Sequence, residues 1–432
     1  AHEKGVRNIV ILEKMPIPGG NSQFAAGGMN AAGSVYQQAK GIKDTPEMMA
    51  ADTMKGGKNT SDPKLVEIFA KNSAESIAWL KERGAELENV AAGGGASAPR
   101  MHGPKGGKAV GPYLSAFFRD QAEKMEGVDL RLNSRLVRLL TDKSGAVTGV
   151  LVEGKHNGVY EIKAKAVVLA TGGLGANKAL VKQYLPNLDP ATKTSNQPGT
   201  TGEVIEEAVK AGAALEGMQW IQIHPHGNPK NGDLESAIAG RTQDTPYVNK
   251  LGQRFADETG RRDDISYAIL EQPGKVCFSI YDQRTIDSNR VRKEQIEPAI
   301  ARGYAYRADT LEELAKLAGI DPQGLMKTMT AYNAAAKKAD ASSLPVPKAV
   351  FGWGVEQAPF YAIPLTVTIH HTMGGLKINE EARVLNEKGE PIPGLFAAGE
   401  ITGGIHGGNR LGRNALTDLL VFGHIAGENI LK

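Results

Sequence analysis

The sequence predicts an α/β protein built around a dinucleotide-binding unit that an inserted domain interrupts. An apolar, β-branched segment, residues 8–12, ends in Glu13, where the second strand of such a unit carries a ribose-binding acid. Residues 159–177 have the pattern of a strand, a Gly turn and a helix, and residues 365–432 return to this pattern. Between these segments, from about residue 221 to 364, paired glycines become rare.

The start of the chain lacks part of the expected unit. A first strand and a Gly-rich turn normally precede the strand that ends in the acid. Residues 1–5 instead have the pattern of the last turn of a helix that Gly5 ends. We therefore expect the first strand to lie outside this chain. An ordinary βα protein whose strand happens to end in Glu is the alternative that this segment leaves open.

The other elements follow from the spacing of apolar residues. Helical spacing or a preceding Gly turn predicts helices within 62–83, 198–214, 310–319 and 322–338, and alternation predicts strands at 130–140 and 147–152. We predict that 1–220 and 365–432 form the two parts of the dinucleotide-binding domain. Residues 221–364 are predicted to form an inserted α+β domain.

Composition excludes several classes of protein. The 432 residues are 41% hydrophobic and 23% charged, which is enough for a sizeable core. The net charge of +3 with mixed signs excludes an acidic tail or a basic nucleic-acid stripe. Cys277 is the single cysteine, which excludes a disulfide framework, an iron–sulfur cluster, a Cys-rich zinc site and C-x-x-C-H haem attachment within the chain. No run of 18 apolar residues occurs and no signal peptide is visible, so we expect no transmembrane segment.

A series of motifs along the whole chain is more specific than any one of them. The motifs are LEKMPIPGGNSQFAAGGMNAA, DTMKGGKNTSDP, RLNSRLVRLL, LATGGL, IQIHP, VNKLGQRFADE, RRD, IHHTMGG and GLFAAGEITGGIHGGNRLGRNAL. In this order they resemble the fumarate reductase/succinate dehydrogenase flavoprotein family. The nearest members are the soluble bacterial flavocytochrome-type fumarate reductases and urocanate reductases. The resemblance implies a Rossmann-like FAD-binding domain with a capping domain inserted into it.

The resemblance also implies which residues line the FAD site. Members that lie in membranes attach FAD through a His shortly before the A-x-G-G run, but residues 20–23 here are Gly-Asn-Ser-Gln, so we expect non-covalent FAD. A helix that opens near Asn414 would direct its free N–H groups and positive dipole at the flavin. Each lining position, taken alone, also fits a turn glycine or a core residue. The implied lining residues are Glu13, Lys14, Asn21, Ser22, Gly27, Gly28, Val137, Ala170, Thr171, His371, Glu400, Ala415 and Leu416.

The activity implied by the resemblance is reduction of the carbon–carbon double bond of an α,β-unsaturated carboxylate. In the family, hydride passes from flavin N5 to the β-carbon, and the residue matching Arg262 protonates the α-carbon. His370 and Arg410 match the residues that hold the carboxylate, and His224 matches a further residue of the cage. The family's fold brings these four residues together where the two domains meet.

Each of these residues also has a simpler reading. Arg262 precedes two aspartates and could form a surface ion pair, and His224 precedes a proline and could be structural. The paired histidines 370 and 371 could hold a metal, but no carboxylate spacing supports one, so we expect no metal site.

The strand after His-Pro departs from the family pattern. Fumarate reductases have a Thr-Glu pair there, followed by a relay arginine, which matches Arg241 when counted back from Val248. The same register places Ala237–Ile238 at the Thr-Glu pair, and Ala239 where urocanate reductases carry an acid. Counting forward from His224 instead aligns Ser236 with the family's Thr. A local gap in the alignment would place Glu235 at the position of the proton-relay acid.

A second departure is Arg413, where the family usually has Gly. The carboxylate-binding end of the site is therefore intact and the far end is altered, which predicts a substrate other than fumarate. Three alternatives remain: fumarate reductase proper, a dehydrogenase or oxidase of a saturated acid or amino acid, and a flavin electron carrier without a substrate of its own. A carrier would not need His370, Arg262 and Arg410 together.

The expected partners follow from the same resemblance. They are a small unsaturated carboxylate and an external electron donor, such as a haem or FMN module upstream in the full protein. We expect no nucleic acid as a partner. The resemblance implies a periplasmic location and a role in anaerobic respiration, although a cytoplasmic location stays open.

Overall fold

A computed structural model describes all of residues 1–432. The α-helices are α1 (Val35–Ala39), α2 (Pro46–Gly56), α3 (Pro63–Lys71), α4 (Ser73–Glu82), α5 (Val110–Lys124), α6 (Lys178–Tyr184), α7 (Glu203–Lys210), α8 (Arg262–Leu270), α9 (Gln283–Asp287), α10 (Ile296–Ala301), α11 (Leu311–Ala318), α12 (Pro322–Lys338) and α13 (Asn414–Asn429). The strands are β1 (Ile9–Leu12), β2 (Met29–Asn30), β3 (Asn89–Ala91), β4 (Met101–Gly103), β5 (Val128–Arg131), β6 (Ser134–Thr141), β7 (Val147–Gly154), β8 (Gly158–Lys163), β9 (Val167–Leu169), β10 (Lys193–Thr194), β11 (Leu215–Glu216), β12 (Ile221–Gly227), β13 (Tyr247–Val248), β14 (Val276–Asp282), β15 (Tyr306–Ala308), β16 (Phe360–Thr372), β17 (Gly375–Leu376), β18 (Arg383–Leu385) and β19 (Pro391–Ala397).

The chain forms two compact units. Unit 1 comprises Ala1–Leu188, Asn196–Gln222 and His371–Lys432, and unit 2 comprises Asp189–Ser195 and Ile223–His370. The predicted domain boundaries, after residues 220 and 364, lie near those of unit 2. The functional names given to these domains stay predictions.

Unit 1 contains two parallel strand pairs. β1 runs parallel to β5, with Ile9 opposite Val128, and β9 runs parallel to β19, with Leu169 opposite Ala397. The carboxyl ends of parallel neighbours lie at the same edge of a sheet, which is where α/β proteins bind ligands. The residues that follow β9 and β19 are therefore close together although they are far apart in sequence.

Helices of unit 1 pack through apolar faces. The side chain of Asp62 caps α3, and Leu65, Val66, Phe69 and Ala70 are buried beneath it. The single helix predicted in 62–83 is two helices, because Asn72 ends α3 and begins α4. The Asn72 amide donates to the carbonyl of Ile68 at 2.8 Å, a local bond that competes with helix continuation.

Unit 2 is built on a mixed sheet covered by helices, in which β10 runs parallel to β16 and β14 runs antiparallel to it. β14 pairs with β16 along its length, from Val276 opposite Thr366 to Asp282 opposite Phe360. β10, β12 and β15 also pair with β16, and β13 pairs with β14. Helices α11 and α12 bury Leu314, Leu325 and other apolar residues against this sheet. Both helices match the predicted segments 310–319 and 322–338.

Candidate active site

Three histidines of unit 2 form a contiguous group. The ring of His224 lies 5.0 Å, centroid to centroid, from those of both His226 and His370. The backbone N–H of His226 donates to Nδ1 of His224 at 3.1 Å, which leaves the proton of a neutral His224 ring on Nε2. Nδ1 of His370 lies 3.0 Å from the hydroxyl oxygen of Ser195. Two predicted site residues, His224 and His370, are thus adjacent and oriented by hydrogen bonds.

The sequence motifs did not point to His226 and Tyr247 as residues of the candidate site. Nε2 of His226 lies 2.7 Å from the Tyr247 hydroxyl. The sequence does contain an indication of His226. It lies two residues from His224 on β12, and residues two apart in a strand share a face. Nothing in the sequence marked Tyr247, since its contact with β12 depends on the pairing of β13 with β14.

Arg262 is the first residue of α8 and is half-buried. Burial and, second, the positive charge of Arg262 lower the pKa of His226 to about 3. The Ser266 hydroxyl, one turn after Arg262 on the same face of α8, donates to the carbonyl of Ile223 at 3.2 Å, which places this face of α8 against β12. The neighbouring Asp263 accepts a hydrogen bond at 3.0 Å from Nε of Arg261, and Asp264 lies 3.7 Å from the same nitrogen. Arg261 therefore pairs with both aspartates.

The segment that departs from the family pattern has definite contacts. Ile238 is 1% exposed, and its carbonyl accepts a hydrogen bond from Tyr281. The Glu235 carboxylate accepts from the Asn228 amide at 2.6 Å, and burial raises its pKa. Arg241 is exposed in a turn, where its side chain makes no ion pair. Its assignment as a relay arginine stays a prediction.

Arg410 is a buried cation of unit 1. It is 6% exposed, donates from Nη1 to the Leu411 carbonyl at 3.0 Å and from Nη2 to the Gln222 amide oxygen at 3.3 Å, and has no acceptor at Nε. Burial lowers the pKa of Arg410 to about 10, and the charge of Glu400 opposes this shift. A buried guanidinium with an unused donor is suited to a carboxylate ligand, since its planar fork matches two carboxylate oxygens.

Residues predicted to line the FAD site meet at the edge formed by β9 and β19. Ala170 and Thr171 follow β9, and Glu400 follows β19. The Glu400 carboxylate accepts from the backbone N–H of Thr372 at 3.0 Å and lies 3.5 Å from Nδ1 of His371. Burial raises the pKa of Glu400. A Cβ at Gly173 would lie 1.9 Å from the Thr372 hydroxyl, so this turn requires glycine.

The residues after β1 are also held by specific contacts. The carboxylate of Glu13 accepts from the backbone N–H of Met15 at 2.7 Å. Lys14 donates to Glu203 at 2.7 Å, and the side chain of Asn21 accepts from the backbone N–H of Gln197 at 2.9 Å. Glu13 keeps carboxylate capacity for a ribose hydroxyl, whereas Lys14 already has an acidic partner.

The other predicted FAD-lining residues differ in exposure. Gly27 is exposed, and a Cβ at Gly28 would lie 2.3 Å from the carbonyl oxygen of His102. Leu416 packs in the core of unit 1, while Ser22, Val137 and Ala415 are half-buried.

These residues fit a bound FAD. The Glu13 carboxylate, which accepts from the backbone N–H of Met15, can accept a further hydrogen bond from a ribose hydroxyl. The first turn of α13 presents backbone N–H groups that the helix itself does not use.

Comparison with known proteins identifies the family. A family model described as an FAD binding domain matches residues 1–416. The chain belongs to this FAD-binding family. It is therefore an FAD-dependent oxidoreductase, and the predicted α/β fold is confirmed. No helix is both long enough and apolar enough to span a membrane.

Two curated members of this family and one solved structure are similar to the chain. It is 43% identical over 427 residues to "Fumarate reductase (cytochrome)" of Shewanella frigidimarina, covering 98% of this chain and 73% of the relative. It is 34% identical over 430 residues to the urocanate reductase of Eggerthella lenta, covering 98% of this chain and 70% of the relative. The open conformation of a flavocytochrome c3 fumarate reductase matches with a TM-score of 0.86 and 41% identity, over 100% of this chain and 74% of that one.

Proposed function

We propose that this protein reduces the carbon–carbon double bond of an α,β-unsaturated carboxylate. The observation that carries the proposal is Arg410, a buried guanidinium with a donor, Nε, that no protein group accepts. Leaving a buried donor unpaired costs about 1–3 kcal/mol, so a ligand that supplies an acceptor is favoured. Relatives named for fumarate and urocanate, both unsaturated carboxylates, support the same reading.

Arg410 has the chemistry to bind and polarise the substrate carboxylate. Electron density moves into this carboxylate as the double bond is reduced, and a fixed cation in a buried setting stabilises the growing charge. The same role is proposed for His370, whose ring is oriented by Ser195. FAD, when bound, supplies the hydride for the β-carbon.

Arg262 is proposed to deliver the proton to the α-carbon. Arginine is a weak acid in water, with a pKa above about 12, so it needs close placement and a source for its replacement proton. Its position at the start of α8, near the histidine group, is compatible with this role. His224, with its ring proton on Nε2, is proposed to donate a hydrogen bond to the substrate.

The far end of the substrate is proposed to be less polar than in fumarate. Ala237 and Ile238 occupy the Thr-Glu positions in the register counted from Val248, and Ile238 is buried. A second carboxylate would find no charged partner from these two residues. A monocarboxylic enoate with an apolar or aromatic tail is therefore the proposed substrate class.

Fumarate reductase proper is the second candidate, because a fumarate reductase is a relative at 43% identity. Comparing kcat/KM for fumarate with acrylate-, methacrylate- and cinnamate-type acids separates the two candidates. Reduced viologen is the electron donor in this assay. A preference for fumarate of tenfold, or about 1.4 kcal/mol in transition-state binding, would show that the register is wrong.

The cofactor and its electron supply complete the proposal. FAD is proposed to bind non-covalently, since Asn21 stands where membrane-bound relatives carry the attachment His. Electrons are proposed to come from an external donor, such as a haem or FMN module upstream in the full protein, and the enzyme is proposed to be periplasmic, as the resemblance implies. Fractionation of cells that express the full-length protein tests the location.

A further inference from the structure

His226 is hydrogen-bonded through both ring nitrogens. Nδ1 lies 2.9 Å from the hydroxyl of Ser236, and Nε2 lies 2.7 Å from the hydroxyl of Tyr247. Ser236 is exposed, whereas Tyr247 is 0% exposed. A continuous hydrogen-bonded line therefore leads from solvent, through one imidazole, to a buried phenol.

Both inner members of this line are uncharged at neutral pH. Burial and, second, the charge of Arg262 lower the pKa of His226 to about 3, and burial raises the pKa of Tyr247 well above its usual value. A neutral imidazole accepts at one nitrogen and donates from the other, and a tyrosine hydroxyl also does both. Such a line can pass a proton in one concerted step, so that no ionised intermediate is held in the buried site.

The ionisable groups around Tyr247 and His226 already have partners of their own, so these two residues form the buried end of the hydrogen-bonded line. Glu258 accepts from the backbone N–H of Tyr247 at 2.8 Å, but its carboxylate is ion-paired with both Arg254 and Lys348. The nearest aromatic groups are the ring of His224, 5.0 Å from that of His226, and the Tyr247 ring itself. Arg262 lies on the face of α8 that contacts β12, since Ser266 on the same face donates to the carbonyl of Ile223 at 3.2 Å, and its charge helps to lower the pKa of His226.

The positions at which a carboxylate relay is expected do not supply one. Ile238 is apolar and buried, and the carboxylate of Glu235 accepts from Asn228. Arg241, the expected relay arginine, is exposed. A general acid at Arg262 would therefore need another source of protons.

We propose that Ser236, His226 and Tyr247 form the relay that returns a proton to Arg262 after each turnover. This inference rests on the proposed role of Arg262 as the acid. When Arg262 has given a proton to the α-carbon, the Tyr247 hydroxyl protonates the neutral guanidine. The proton on Nε2 of His226 moves to the Tyr247 oxygen, Nδ1 takes the proton of Ser236, and water re-protonates Ser236. One solvent proton is consumed and no relay group is oxidised or reduced. His226 is left with its proton on Nδ1 and returns to the Nε2 tautomer by proton exchange with solvent before the next turnover.

The test compares Tyr247→Phe and His226→Ala with Tyr281→Phe in the full-length, FAD-loaded protein. Tyr281 is a second buried tyrosine of unit 2, and its hydroxyl donates to the backbone of Ile238 rather than to His226. Reduction of an enoate by reduced viologen is followed in H2O and in D2O. Both relay variants should lose about 10²-fold in kcat, the lower end of the usual range for proton-transfer catalysis, with KM nearly unchanged. Their solvent isotope effect should exceed that of the wild type, and added imidazole should restore activity to His226→Ala.

The outcomes separate the relay from the function on which it rests. A wild-type protein that reduces no enoate overturns the proposed function and the relay with it. Wild-type kcat and isotope effect in both relay variants overturn the relay alone. A loss that Tyr281→Phe shares, that imidazole does not reverse and that leaves the isotope effect unchanged would assign a purely structural role and also reject the relay.

Discussion

Arg413 carries two local costs at a single position. Its φ of +77° lies in the left-handed region that favours glycine, and this residue precedes α13. Its Nε is buried without a hydrogen-bond partner, and burial lowers the pKa of the guanidinium. A Cβ at Gly27 would lie 3.0 Å from this Nε, so the side chain lies along the glycine-rich segment. A glycine at this position would carry neither cost.

We predict that Arg413→Gly stabilises the protein. Removing the left-handed strain of a side chain should contribute about 1 kcal/mol, measured as a rise in Tm without ligands. Ala382→Gly is the matched control, because Ala382 has a φ of +60° and no charge. A fall in Tm for Arg413→Gly, but not for Ala382→Gly, would mean that the Arg413 side chain stabilises the fold by more than the strain of its left-handed backbone destabilises it.

The role of Arg262 can be separated from that of its neighbour. Arg262→Ala should reduce kcat by about 10²-fold or more, the contribution expected of a general acid, and leave the flavin spectrum unchanged. Arg261→Ala is the control, since Arg261 is exposed and pairs with Asp263. An Arg262→Ala enzyme that retains a tenth of the wild-type kcat cannot have lost its acid.

At the scale of elements, β4 depends on a neutral histidine. His102 is 0% exposed; Nε2 lies 2.6 Å from the Ser34 hydroxyl and Nδ1 2.8 Å from the carbonyl of Arg100. The Arg100 carbonyl requires a proton on Nδ1, so Nε2 accepts from Ser34. Burial lowers the pKa of His102 to about 4.

This lowered pKa predicts acid sensitivity. The unfolded chain, with a His pKa of about 6.5, takes up the proton first, so stability falls as pH decreases from 6.5 towards 4. Between pH 7 and pH 5 the loss should be about 2 kcal/mol. In His102→Gln this part of the loss should disappear when urea midpoints are compared at the two pH values. An equal decrease in both proteins would show that His102 does not cause it.

Elements with strong periodicity could be predicted, and their interruptions could not. The predicted helices at 310–319 and 322–338 match α11 and α12, because apolar residues face the sheet at regular spacing. The predicted strand 130–140 is two strands, β5 and β6, since Asn133 adopts a φ of +51° between them. Asparagine tolerates this conformation, but the sequence does not show where it is used.

Part of the candidate site could likewise be predicted from the sequence, and part could not. Motifs pointed to His224 and His370, and the structure brings their rings to 5.0 Å. The contacts of His226 with Ser236 and Tyr247 depend on loop and strand packing that no spacing rule describes. Arg241 shows the limit of counting along a sequence, since a register of residues does not say whether a side chain is buried.

At the scale of the whole molecule, the distribution of glycine together with the two helical segments 310–319 and 322–338 predicts the insertion of one domain into another. Paired glycines mark the turns that follow β9 and β19 of unit 1 and are rare in unit 2, whose sheet is mainly antiparallel. The first and last parts of unit 1 are far apart in sequence, yet β9 and β19 are neighbours. The local propensity of each segment predicts a strand but not that β9 and β19 pair with each other.

We predict that the full-length protein binds FAD non-covalently. Because Asn21 cannot form the covalent link of a histidine, acid precipitation should release all yellow colour into the supernatant. Replacing Asn21 by Ala should weaken FAD retention on desalting without changing this result. Colour that stays in the protein pellet would contradict non-covalent binding.

Arg410 is proposed to bind the carboxylate that is conjugated to the double bond this enzyme reduces. The most direct measurement is kcat/KM for matched pairs of enoic acids and their amides, with reduced viologen and the full-length, FAD-loaded protein. The acids should be reduced and their amides should not, because an amide offers no charge to the buried guanidinium. Equal reduction of an acid and its amide, or no reduction of any enoic acid, would contradict the claim.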